Sequence, residues 1–250
     1  MALHPKTDIY HDIAVEVYRK NIKIIIFVAL LTTIVETVFD ALGNISAIFT
    51  LLRIIVTAPL LICTYNIYIR ALKGERMSAD YVFTWLTKPD RIVKGVKSEL
   101  AVMFRLIGWY ILYIVTAALS SLFGILAYAI IIGGLILLYY KSLQYNGIFY
   151  ECAAYPEYEV SVCVDDGLDQ MKYNMNEYVS LWCLKCLPLT LLTTFLNIVF
   201  KDSSLSIIMS LAGNLLLQLW VLPRFHLEGI MVYDSRYAGN LEEPVDEFNF

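Results

Sequence analysis

Charged side chains are scarce in this sequence of 250 residues, where they make up 17% of the chain, against about 25% in soluble domains. From Leu106 to Tyr140, thirty-five consecutive positions carry no charge at all. A helix crosses the hydrocarbon core of a bilayer in about 20 residues, so this run is too long for one crossing and suits two. The sequence therefore argues against an ordinary soluble domain and indicates an integral membrane protein.

Motifs that would identify an enzyme or a nucleotide-binding protein are absent as well. The sequence has no Walker loop, Rossmann glycine motif, HExxH sequence or nucleophile elbow, and its three histidines do not cluster. Cys183 and Cys186 have a CxxC spacing, but the second Cys or His pair that a zinc site needs is missing. We therefore expect a non-enzymatic protein with no catalytic residue, metal or cofactor, and no nucleic-acid partner. No cleaved signal is expected either, because charged residues are spread over positions 1–21.

Charge-poor windows predict an all-α, polytopic membrane fold. The windows place six transmembrane helices near residues 22–42, 46–69, 101–120, 123–142, 178–200 and 205–226. Short turns at Gly43-Asn44, Ser120-Ser121 and Lys201 to Ser204 would join these helices into three hairpins. Sixteen of the seventeen Lys and Arg outside the spans lie on the side of the N terminus and the long loops. Because cytoplasmic loops carry an excess of Lys and Arg, we expect a multi-pass protein of the bacterial inner (cytoplasmic) membrane with both termini in the cytosol.

An internal repeat is the second feature of the sequence. Each hairpin follows a charged, half-apolar segment, at 8–21, 90–99 and 165–177, and the first spans of the hairpins begin about 77–78 residues apart. We predict three parallel units near residues 8–75, 78–155 and 160–232, within one membrane domain (1–232) that precedes an acidic cytosolic tail (233–250). The three segments are expected to be amphipathic helices at the headgroup level, with gating or partner docking as the alternative role.

Glu36 and Arg53 are the leading candidates for an intramembrane site. They lie eight residues before and nine residues after Asn44, so antiparallel helices would bring them to a similar depth, roughly 12 Å below the membrane surface. A lone charge at that depth is costly, so pairing is expected, and Asp40 could share Arg53. The pair is either a structural clip or the polar wall of an outward-open cavity for an ion, a peptide or a lipid headgroup.

Other polar residues are predicted to face the interior or to bind a partner. Lys185 lies about two turns into the fifth span, where it either joins a polar interior or extends back to the headgroups. Residues 70–105 are mainly basic and residues 151–177 mainly acidic, so the two segments either contact each other or meet other charged surfaces. The further interior candidates are Asn66, Asn214 and Gln218, and the candidate docking residues for a protein partner are Lys94, Lys97, Asp165, Asp166 and Asp169.

The chain resembles the bacterial DUF975 integral membrane proteins, which are related to the membrane domain of some glycerophosphodiester phosphodiesterases. The similarity covers roughly residues 10–235. It depends on Val17-Tyr18-Arg19-Lys20-Asn21 before the first span, on 139–150 leading into the acidic segment 151–159, and on 165–176 before the fifth span. The Ile-Pro-Gly-Ile motif of the family is replaced by Gly133-Gly134. The resemblance implies a multi-pass membrane protein and supplies no catalytic residues.

Two functions remain open from the sequence. The first is binding or translocation of a small amphipathic ligand, a lipid or a peptide. The second is a membrane partner subunit of a larger complex, such as a peptide-export accessory or an immunity-type protein, that docks through its charged cytosolic loops. The lipid bilayer is the expected partner in both cases, and a protein partner or a second copy of the chain is compatible with either.

Overall fold

The fold is a bundle of helices. A computed structural model describes residues 5–43, 46–120, 124, 126–199 and 212–239, and the described residues contain no strand. The helices are α1 Pro5–Lys20, α2 Ile22–Gly43, α3 Ala47–Leu72, α4 Ala79–Leu86, α5 Pro89–Ser120, α6 Leu126–Ala154, α7 Val160–Lys185, α8 Leu187–Val199, α9 Ala212–Tyr233 and α10 Arg236–Gly239.

Six helical stretches are long and apolar enough to cross a membrane. They are α2, the part of α3 from Leu52, α5, α6, the combined stretch Val160–Leu196 and α9. The predicted all-helical class and the predicted number of spans are therefore confirmed for the described part of the chain. Between α5 and α6, Gly124 has a φ of +55°, a left-handed conformation that glycine adopts without steric cost.

Several helices extend well beyond the predicted spans. The α5 helix begins at Pro89 instead of near residue 101, α6 continues to Ala154 instead of ending near 142, and α7 begins at Val160 instead of near 178. The 32 residues of α5 correspond to about 48 Å, whereas the hydrocarbon core is about 30 Å thick. The segments 90–99 and 165–177 are thus continuous with their spans, and only α1 is a separate preceding helix. The short α4 was not predicted.

Buried side chains concentrate at the end of the bundle that carries α1 and α10. We call this region the base; it comprises α1, α4, α10 and the adjoining ends of α3, α5, α6, α7 and α9. Its largest fully buried side chains include Tyr18, Tyr150, Tyr178, Phe225 and Leu72. The remaining parts of the spans, here called the distal region, expose most of their apolar side chains, as at Phe104, Ile114, Ile136, Leu191 and Ile198.

This division has a physical cause. The base packs its apolar side chains into a common core, whereas a lipid environment is as apolar as Leu and gives the distal parts of the spans little reason to pack. The apolar face of α1 also belongs to the core of the base, because its residues Tyr10, Ala14 and Val17 are buried against other helices of the protein.

Proline interrupts the helices in the second half of the chain. The α7 helix ends at Lys185 and α8 starts at Leu187, next to Pro188, which lacks the N–H that would continue the helical hydrogen bonds. In α9, residues Leu217–Val221 form a π turn, and Pro223 follows one residue after it. Both interruptions are of the kind that proline produces.

Candidate functional site

The predicted charged pair lies where α2 and α3 run side by side. Glu36 and Arg53 are both half-buried, and both interact with neighbouring groups. The side chain of Asp40 lies outside the described part of the structure.

A third charged residue, Glu99, joins this region from α5. A Cβ atom at Gly95 would lie 2.7 Å from the backbone of Pro59, so α5 and α3 are in close contact there. Glu99 is one turn farther along α5, half-buried and close enough to Arg53 for an electrostatic interaction. Glu99 lies at the end of the predicted headgroup-level segment 90–99 and is the last acidic residue before the long uncharged run. Two acidic residues and one basic residue therefore approach the same part of the bundle.

Asn66 has a clear structural role in the base. Its side-chain amide donates to the carbonyl oxygen of Ala153 at 2.6 Å, and its Oδ1 accepts a hydrogen bond from the Tyr81 hydroxyl at 2.6 Å. These contacts join α3 to the end of α6 and to α4. Burial raises the pKa of Tyr81, although the charge of Arg70 acts in the opposite direction. Because burial has the larger effect, the hydroxyl stays protonated and acts as the donor. The side chain of Asn66 is buried.

A buried group of aromatic hydroxyls occupies the centre of the base. The Tyr150 hydroxyl lies 2.8 Å from the Tyr178 hydroxyl and 3.0 Å from His226 Nδ1, while Asn146 donates to Tyr178 at 3.2 Å. The Tyr65 ring packs on Tyr150 with centroids 4.8 Å apart. This cluster was not predicted from the sequence. One signal was available, because an aromatic residue followed by Asn or His recurs with identical spacing at Tyr65-Asn66, Tyr145-Asn146 and Phe225-His226.

Lys185 forms a buried ion pair that was not predicted. Its ammonium lies 2.5 Å from Glu228 Oε1 and 2.8 Å from His11 Nδ1, and His11 Nδ1 is 3.0 Å from the same carboxylate oxygen. Glu228 is fully buried, so the ammonium of Lys185 is held by a carboxylate inside the protein. This contact links α1, α7 and α9. Of the other interior candidates, Gln218 is half-buried and Asn214 is exposed, so Asn214 does not contribute to a polar interior.

The proposed docking residues divide into two groups. Lys94 is only 7% exposed and donates to the carbonyl oxygens of Tyr155 at 2.6 Å and Tyr158 at 2.8 Å. It therefore closes the turn between α6 and α7 and is not available to a partner. The remaining candidates are all exposed: Lys97, Asp165, Asp166 and Asp169.

An apolar groove separates α5 from α6 in the distal region. Its volume is about 260 Å³, and Trp109, Tyr113, Thr116, Gly133 and Gly134 are among the residues that line it. Gly134 lies directly under the Tyr113 ring, where a Cβ atom would come within 2.6 Å of the ring, whereas a Cβ atom at Gly133 would meet nothing within 4 Å. Gly134 therefore allows close packing of the two helices, and Gly133 leaves the groove open.

Comparisons with known proteins do not assign the chain to a family. No family, curated protein or solved structure matches it. Within the described ranges, no group of three or more His, Cys, Asp or Glu side chains is placed to hold a metal ion.

Proposed function

We propose that the chain is a non-enzymatic, multi-pass membrane protein that binds a small amphipathic ligand, a lipid or a peptide, between the distal parts of its helices. The observation that carries this proposal is the contrast between a closed base and a loosely packed, apolar distal region. Ligands of this kind bind in concave sites with mainly apolar walls and a few polar groups. The base closes the bundle at one end, so the ligand would enter from the distal side or from the bilayer.

The groove between α5 and α6 and the charged residues of α2, α3 and α5 would share the ligand. Trp109 and Tyr113 supply an apolar wall for a hydrocarbon chain. Glu36, Arg53 and Glu99 would receive a polar or charged headgroup, because charged residues within a membrane commonly mark ligand or ion pathways.

The finer architecture belongs to the same proposal. We infer three parallel units, each made of a charged segment and two spans, and both termini in the cytosol at an inner membrane. The recurrence of Tyr65-Asn66, Tyr145-Asn146 and Phe225-His226 supports the repeat. Membership of the DUF975 family likewise stays a proposal that depends on the sequence resemblance.

Filling the groove tests the ligand site. A phosphatidylcholine with a photoreactive acyl chain, incorporated in nanodiscs, should label wild-type peptides containing Trp109 and Tyr113. Gly133→Leu should abolish this labelling, because the new side chain would enter the groove. Gly108→Leu is the matched control, since Gly108 also has free space around it but does not line the groove. Equal labelling of the two variants would contradict the groove as a lipid site.

Neutralising the charged pair tests the headgroup contact separately. The double variant Glu36→Gln, Arg53→Gln removes one charge of each sign and leaves Glu99 in place, and it should lose the stabilisation that added phospholipid gives the wild type. Unchanged stabilisation by lipid would mean that the pair is only a clip between α2 and α3.

A membrane partner subunit is the second candidate function. It is favoured by one observation: Asp165, Asp166 and Asp169 are exposed on α7, and none forms an ion pair with another described residue. A basic protein surface would complement them. Replacing all three by Asn should abolish co-purification of a partner in the native host, whereas unchanged co-purification would exclude this face as the contact.

A further inference from the structure

A second cavity lies at the base, between the end of α1 and the end of α3. Its volume is about 340 Å³, and it is lined by Glu16, Val17, Lys20, Asn21, Ala71, Gly74 and Arg76. Val17 and Ala71 are buried and form an apolar floor, while Lys20 and Arg76 are exposed at the rim. The cavity thus combines an apolar floor with cationic edges.

The position of this cavity along the chain fixes its depth relative to the spans. One candidate span begins at Ile22 and another ends at Leu72, so the wall residues Lys20 and Asn21 directly precede the first of these spans. Gly74 and Arg76 directly follow the second. Lipid headgroups occupy the zone next to the ends of membrane spans, so a cavity beside the ends of these two candidate spans is placed to meet a headgroup.

The charge at the cavity favours an anion. Lys20 pairs with Glu16 at 2.6 Å, but both side chains are mostly exposed, so this pair is weak and can exchange. Arg76 has no acidic partner among the described residues. Arg19, Lys23 and Lys73 are neighbours in sequence and are exposed as well.

We propose that this cavity binds the phosphate headgroup of an anionic phospholipid. The Arg76 guanidinium and the Lys20 ammonium contact the phosphate oxygens, and the apolar floor at Val17 and Ala71 contacts the glycerol end of the acyl chains. Basic pockets between membrane helices bind anionic headgroups in this way, and Arg is suited to bidentate contacts with phosphate. The site lies at the base and is separate from the groove between α5 and α6.

Native mass spectrometry of the detergent-purified full chain tests the proposal. Wild-type protein should bind phosphatidylglycerol about tenfold more tightly than phosphatidylcholine with the same acyl chains. The variant Lys20→Gln, Arg76→Gln should lose this preference. The variant Lys88→Gln, Lys97→Gln, which removes two exposed cations outside the cavity, should keep it. The proposal is overturned if wild type shows no preference or if the control loses as much as the cavity variant.

Two further measurements distinguish the source of the phosphate and protect the test against misfolding. Millimolar inorganic phosphate should not displace phosphatidylglycerol from the wild type; displacement would assign the cavity to free phosphate and overturn the lipid as its occupant. In the unmodified chain, added salt should weaken phosphatidylglycerol binding and leave phosphatidylcholine binding unchanged, because salt screens exposed charges. Equal salt dependence of both lipids would contradict a headgroup contact with Lys20 and Arg76.

Discussion

Gly147 of α6 and Gly167 of α7 are in backbone contact where the two helices cross. A Cβ atom added at Gly167 would lie 2.7 Å from the carbonyl oxygen of Gly147. Small residues permit this approach of two helices. The turn between α6 and α7 is flanked by two buried cysteines, Cys152 and Cys163. The crossing fixes how α6 and α7 enter the base.

Substitution at this crossing should destabilise the protein. Gly167→Ala is expected to lower the free energy of unfolding by about 1–3 kcal/mol, because the new methyl group must separate two backbones. Gly108→Ala is the control, since a Cβ there meets nothing within 4 Å and Ala favours a helix over Gly. Titration with sodium dodecyl sulfate in mixed micelles measures both variants. Equal stability of the two would show that the helices can move apart at no cost.

The Lys185–Glu228 pair should show strong coupling in a double-mutant cycle. Lys185→Met leaves a buried carboxylate without its ammonium partner and should cost about 3–5 kcal/mol. Adding Glu228→Gln removes the uncompensated charge and should recover much of this loss. Unfolding measurements on both single variants and the double variant give the coupling energy. Additive effects would mean that His11 alone compensates the carboxylate.

Lys94 and Lys97 should behave differently although they are three residues apart. Lys94→Met removes the donor to the carbonyl oxygens of Tyr155 and Tyr158 and should destabilise the protein by about 1–3 kcal/mol. Lys97→Met changes an exposed side chain and should alter stability by less than about 0.5 kcal/mol. Thermal unfolding in nanodiscs compares them. If Lys97→Met lowers stability as much as Lys94→Met does, Lys94 has no special role in closing the turn between α6 and α7.

The hydroxyl of Tyr81 should hold α4 against the bundle. Tyr81→Phe removes the hydrogen bond to Asn66 Oδ1, a loss of about 0.5–1.5 kcal/mol, so amide hydrogen exchange in α4 should become faster. Tyr173→Phe is a suitable control because the side chain of Tyr173 is 83% exposed. Unchanged exchange in α4 would show that packing of Val82 and Trp85 is sufficient by itself.

Hydropathy predicted the spans because it measures the property that selects a helix for lipid. It did not predict how far α5, α6 and α7 continue, since their additional turns contain charged residues and face water or one another. The α4 helix was not predicted because its eight residues are too few for a membrane span, although Ser78 and Asp80 are residues typical of a helix start.

The contacts within the base could not be read from local patterns. Lys185 and Glu228 are 43 residues apart, and His11 is 217 residues from Glu228, so nothing in their sequence neighbourhoods indicates that they meet. The prediction for Glu36 and Arg53 used only their similar distance in sequence from Asn44. Glu99 enters the same region only through the contact between Gly95 and Pro59, which depends on tertiary packing.

The order of synthesis gives the last long helix a special importance. Contacts that close the base come from α9: its residues accept hydrogen bonds from Tyr18 and Lys185, and Tyr233 donates to Glu151. A ribosome makes α9 after the other spans. The partners of Tyr18, Glu151 and Lys185 are therefore absent while the earlier helices are inserted. The base of the nascent chain therefore stays incomplete until residue 233 has been made.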